Sequence, residues 1–154
     1  ERTRKARPMS TLARQYERRK AVASATQQWV AEHIAANDGA ILIAPADPTV
    51  GIPLNDLATE RLWTPIVGTL GVTLTRRLLY AMEQGYLAVN AEELALSLGL
   101  GTRISMHCPL IRALTRALAF RLLGRDKLSV LVSDSVRYPG ASDAQRTATL
   151  WTAS

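Results

Sequence analysis

Residues Asn90 to Val132 read NAEELALSLGLGTRISMHCPLIRALTRALAFRLLGRDKLSVLV, and the punctuation of this stretch sets the expected fold. Asn90 is a good N-cap, because its side-chain oxygen can accept from an orphan first-turn amide. Glu92 and Glu93 then sit at the positive end of the helix dipole. Leu94, Leu96 and Leu98 predict a short, mostly buried helix, and Gly99 and Gly101 stop it. Pro109 suits the first position of a second helix, with His107 or Cys108 just outside. Along that helix Leu110, Ile111, Leu114, Ala117 and Leu118 recur at three- and four-residue spacing and form one apolar stripe. Arg112, Thr115 and Arg116 lie off the stripe, and the two arginines, four apart, are neighbours on one outward face. Two apolar runs, Ala119 to Leu123 and Leu128 to Val132, flank Gly124-Arg125-Asp126-Lys127 and read as a β-hairpin with a polar, charged connection.

Upstream, Gly71 to Gln84 predicts a helix with Val72, Leu74, Leu78, Leu79 and Met82 inward and Arg76 and Arg77 outward, stopped by Gly85. Tyr86 to Val89 is a short strand expected to pair with the hairpin. Helix, strand, helix, tight turn, helix, hairpin is the element order of a winged helix-turn-helix. Over about 60 residues, Thr73 to Val132, the chain resembles winged-helix DNA-binding domains such as those of small bacterial transcriptional regulators. The resemblance is one of pattern and element order, with no signature motif. It implies that the helix from Pro109 to Leu118 enters the major groove with the hairpin as a wing beside it. Arg112 and Arg116 then read base edges, Thr102, Arg103, Ser105, His107 and Thr115 meet the duplex around them, and Arg125 and Lys127 grip backbone or minor groove. Winged-helix domains also serve as protein-docking modules, so the rival expectation is a docking module whose basic arm meets RNA or an acidic partner.

The 154 residues carry a net charge of +6, and 47% of them are hydrophobic, enough for a packed core. Residues 1–20 hold eight Lys or Arg against two acids, which accounts for the whole excess. Residues 1–9 form a basic arm, with Arg2, Arg4, Lys5 and Arg7 as further candidate DNA contacts. Residues 10–37 contain no Gly or Pro and predict one long helix capped by Ser10 or Thr11, roughly 39 Å at 1.5 Å per residue. Trp29 and Ile34 on that helix, together with a C-terminal helix in residues 134–154 that begins near Asp143, are expected to make a homodimer. Half-sites about 34 Å apart would follow. Residues 38–70 form a connector with an edge strand at Ala40 to Ala44, a loop broken by Pro45, Pro48, Gly51 and Pro53, and short helices starting near Asp56 and Pro65. Residues 71–133 form the winged domain.

One cysteine excludes an internal disulfide, and with His33 the only histidine besides His107 there is no metal-ligand set. Cys108 lacks a base and an orienting group, so it reads as a small buried thiol, with a redox switch as a side hypothesis. Glu92 and Glu93 point in different directions on a helix, and LGLGT lacks the lysine of a phosphate loop. No active site and no cofactor are expected. No run of about 18 apolar residues exists, so no membrane span is expected. The fold class expected is mainly α with a three-stranded sheet. The function expected is sequence-specific binding of double-stranded DNA by a cytoplasmic, nucleoid-associated protein: a transcriptional regulator, or a plasmid or phage replication or maintenance protein.

Overall fold

The computed structural model describes residues 10–47 and 50–143, the side chains of residues 16 and 19–23 excepted. The basic arm expected over residues 1–9 and most of the C-terminal helix expected from Asp143 lie outside the described residues. The chain is mainly helical, with a four-stranded mixed sheet and a two-stranded sheet.

Helix α1 runs Thr11–Ala36 as expected, and the Ser10 side chain accepts from the Ala13 amide at 3.1 Å. Strand β1, Ala40–Pro45, alternates its side chains so that Ile41 and Ile43 are buried. Strand β2 is Ile52–Pro53. Helix α2 spans Leu57–Glu83, with the Asp56 carboxylate accepting from the Ala58 amide. It continues through Pro65 and breaks at Gly68, where φ is +81° and ψ is 162°. That backbone geometry is essentially open only to glycine. The helix expected to begin at Gly71 thus begins just after this break. Strand β3 (Ala88–Asn90), helix α3 (Ala91–Ser97), helix α4 (Pro109–Ala119) and strands β4 (Gly124–Arg125), β5 (Val130–Val132) and β6 (Ser135–Val136) follow.

The sheet departs from the expected three strands in a specific way. Its order is β3-β1-β5-β4, so β1 lies inside it and not at an edge. The first half of β1 pairs antiparallel with β3, Ile41 opposite Val89, and the second half pairs parallel with β5, Ile43 opposite Val130. The strand after α2 therefore meets β1 and not the hairpin, because β1 occupies the place between them. Strands β2 and β6 form the second sheet, Ile52 opposite Val136.

The hairpin is also shifted. Gly124 and Arg125, expected in the turn, are its first strand, paired with Leu131 and Val130. The Asp126 carboxylate closes the turn by accepting from the Leu128 and Ser129 amides. The run Ala119 to Leu123 is not a strand. It ends α4: Leu122 N–H donates to Ala117 C=O at 2.9 Å and Arg121 N–H to Leu118 C=O at 3.2 Å, the paired bonds of a Schellman ending. Phe120, Leu122 and Leu123 are buried by that turn.

The core gathers on α4, which packs between α1 and α2. Seven of its residues are buried: Leu110, Ile111, Ala113, Leu114, Thr115, Ala117 and Leu118. Val30 and Ile34 from α1, Trp63, Leu74 and Leu78 from α2, and Ile41, Ile43 and Val130 from the sheet close round it. Ile34 is 4% exposed, so its side chain belongs to the chain's own core and not to the expected dimer contact.

His33 joins α1 to the sheet. Its Nε2 accepts from the Leu42 amide at 3.0 Å, so the neutral ring is the form that makes this bond. Burial pushes the His33 pKa below its ordinary value of 6.5. A depressed imidazole pKa means that the unfolded chain takes up protons first, so this contribution is complete above pH 6.5 and lost as pH falls below it. The thermal midpoint is expected to fall between pH 7.5 and pH 5, and His33→Gln is expected to flatten that part of the pH profile.

Candidate nucleic-acid interface

The candidate residues ahead of α4 occupy an extended lead-in. Helix α3 ends at Ser97, and the chain travels from Leu98 to Cys108 before α4 begins. This replaces the tight turn expected between the two helices. Thr102, Arg103, Ser105 and His107 are all exposed along it. Helix α1 pins its far end: the Gln27 side-chain amide donates to Met106 C=O at 2.7 Å and lies 3.1 Å from His107 Nδ1. With Nδ1 as the acceptor, the other ring nitrogen of His107 carries the hydrogen and is a donor.

Cys108 is the N-cap of α4 and is buried, as expected, and its side chain makes no cap bond. Pro109 follows and contributes no amide hydrogen. The amino end of α4 therefore keeps its partial positive charge unclosed by a capping side chain. Arg112 is exposed one turn on. Arg116 is half-buried, and burial first, then the Arg112 charge, hold its guanidinium below the ordinary arginine value. Both line a 290 Å³ hollow whose other wall is α2 from Val67 to Gly71, at the Gly68 break.

Thr115 needs correction as a candidate contact. It is 7% exposed, and its hydroxyl donates to Ile111 C=O at 2.7 Å inside α4. Its place off the leucine stripe does not expose it, because α4 is covered on two sides, by α1 and α2, and not on one.

The hairpin cations lie elsewhere. The Arg125 guanidinium sits 4.9 Å from the Trp29 ring centroid, within cation–π range. Trp29 stacks on His33 at 4.9 Å and an interplanar angle of 18°. Lys127 lines a 300 Å³ hollow with Trp29, His33, Asn37 and Leu42. The hairpin thus rests on the carboxyl half of α1, and the structure does not bring Arg125 and Lys127 together with Arg112 and Arg116 in one hollow. Half-buried Trp29, expected at a dimer contact, carries the hairpin. Arg2, Arg4, Lys5 and Arg7 lie outside the described residues.

Sequence reasoning missed Gln27, Arg121 and Arg137. One available signal was charge: from Leu94 to Arg125 the chain carries five arginines and no carboxylate before the last of them, Arg125 itself. Among the described residues no cluster of three or more His, Cys, Asp or Glu stands ready for a metal ion, and no helix is long and apolar enough to cross a membrane. Comparison with family models, with curated proteins and with solved structures returns no match for this chain.

Proposed function

We propose that this protein binds double-stranded nucleic acid, and that the lead-in to α4 and the amino end of that helix are the contact surface. The observation that carries the reading is the acid-free stretch from Leu94 to Arg125, which exposes Thr102, Arg103, Ser105, His107 and Arg112 around an uncapped helix end. Hydroxyls, guanidinium groups and first-turn amides are the donors that take phosphate oxygens. Arg112 is the residue with reach to a base edge. The hairpin, with Arg125 in its first strand and Lys127 in its turn, is a separate phosphate contact. A winged-helix-like DNA-binding role in regulation, replication or maintenance fits these contacts, with α4 presenting its end to the duplex and keeping its flank in the core. A homodimer, through α1 beyond Ile34 or through the C-terminal residues, would double the site.

The test is affinity for a duplex measured against salt. Arg103→Ala with Arg112→Ala is expected to weaken binding at least tenfold. It should also lower the slope of log affinity against log salt by about one, for the phosphate that Arg103 no longer neutralises, and relax sequence selectivity through the loss of Arg112. A wild-type affinity that salt does not change overturns the proposal. One observation favours the rival docking reading: Tyr80 near the end of α2 and Tyr86 and Leu87 just before β3 are 63%, 62% and 77% exposed. Salt-insensitive binding that Leu87→Asp abolishes is the result that reading requires.

A further inference from the structure

A second site lies where α4 ends. A cavity of 420 Å³ opens between the last turn of α4, the hairpin, and the segment from Ser133 to Arg137. Its volume falls in the range of small-ligand pockets. Leu118, Leu122 and Leu131 supply apolar wall, and Arg121, Arg125 and Arg137 line it too. Among the described lining residues there is no Asp or Glu.

The three arginines differ in what they have already. Arg137 is spoken for: its fork donates to Asp143 at 2.7 and 2.9 Å and to Phe120 C=O at 3.0 Å, leaving a buried Nε–H with no acceptor among the described residues. Arg125 faces Trp29 and forms no ion pair among the described residues. Neither does Arg121. Two positive charges therefore stand at one apolar cavity with no carboxylate paired to them among the described residues. Ser133 adds a donor, since its Oγ accepts from the Ser135 amide at 3.2 Å and its own hydrogen remains to be given elsewhere.

The backbone of Arg121 is the independent observation. Its φ is +62°, at the position of a Schellman ending where glycine is the residue of choice. A side chain other than Gly, Asn or Asp is disfavoured there. The fold would be served better by glycine, yet the position carries an exposed arginine that lines the cavity at the end of α4. Strain of this kind gathers at sites with a use.

We infer that this cavity binds a small organic oxyanion, a carboxylate or phosphate monoester on an apolar body, with Arg121 and Arg125 taking the oxygens and the leucines taking the body. The cavity lies at the other end of α4 from the lead-in and shares only Arg125 with the contacts proposed for nucleic acid, so it stands whether or not that reading holds.

The probe is phenyl phosphate, with inorganic phosphate and phenol as its two halves. Phenyl phosphate at millimolar concentration is expected to raise the thermal midpoint by several degrees, as a ligand of the folded state alone must, and to change the fluorescence of Trp29 beneath Arg125. Each half alone is expected to do markedly less. Arg121→Gly and Arg121→Asn both accept the left-handed backbone, so the unliganded midpoint is expected to hold or rise while affinity for phenyl phosphate falls at least tenfold. Equal phenyl phosphate shifts in wild type and both variants overturn the inference. So does a fall in the unliganded midpoint of Arg121→Gly, which makes the side chain structural. So does a loss confined to duplex affinity, which hands Arg121 to the nucleic-acid backbone.

Discussion

Trp63→Ala is expected to lower unfolding stability by about 3–5 kcal/mol, the range for emptying a buried aromatic site. Trp63 is 0% exposed and is the largest fully buried side chain among the described residues. It also holds the carboxyl end of the described chain. Its Nε1–H donates to Arg137 C=O at 2.9 Å, and the Arg137 guanidinium lies 4.9 Å from its ring centroid. Removing the indole leaves a cavity and unseats the arginine whose fork holds the buried Asp143. Trp63→Phe keeps most of the volume and loses the donor, so its cost should be intermediate. Urea unfolding measures both, and a loss below about 1 kcal/mol for the alanine variant would contradict a packed role. Because Trp63 and Asp143 act through the same guanidinium, Trp63→Ala and Asp143→Ala together are expected to cost less than their separate effects combined.

Gly68→Ala is expected to cost about 1–3 kcal/mol for a different reason. A Cβ added there meets no atom within 4 Å, so crowding contributes nothing and the whole effect is backbone conformation at φ +81°. Gly71→Ala is the contrasting variant. Its Cβ would come within 3.1 Å of the Val67 side chain, in an ordinary helical backbone that alanine prefers. The smaller loss is expected at Gly71. If the order is reversed, the Gly68 break is not held by its backbone. Gly68→Ala also bears on the interface. Relief of the strain by straightening α2 would move the wall opposite Arg112 and Arg116, so duplex affinity should drop along with stability.

Local chemistry is legible in the sequence, and partner choice is not. Ser10, the absence of breakers, Asn90, Gly99 and Pro109 act within one turn of helix, and α1, α3 and α4 begin or stop where these residues say. The apolar run at Ala40 reads as a strand, but its neighbours Val89 and Val130 are fixed by packing across the whole chain. An edge strand and an inner strand of this length read alike. The segment from Ala119 misleads because Phe120, Leu122 and Leu123 are apolar for the sake of a helix ending, and an arginine stands where glycine would have announced it. Thr115 misleads because one apolar stripe implies one covered face, whereas α4 has two. At the candidate interface the exposed residues from Thr102 to His107 are legible as polar donors ahead of Pro109. Their anchoring by Gln27, eighty positions before His107, is beyond reach of any local pattern.

The inner position of β1 has a consequence for how the chain is made. On a ribosome, Ile43 emerges long before Val130 exists to lie beside it. Until then one side of β1 has no ladder, and α1 presents its Ile34 side with α4 not yet synthesised. Loop closure over so long a separation is slow. The nascent amino-terminal half is therefore the form most exposed to misassociation, and chaperone dependence should fall abruptly once β5 has left the ribosome.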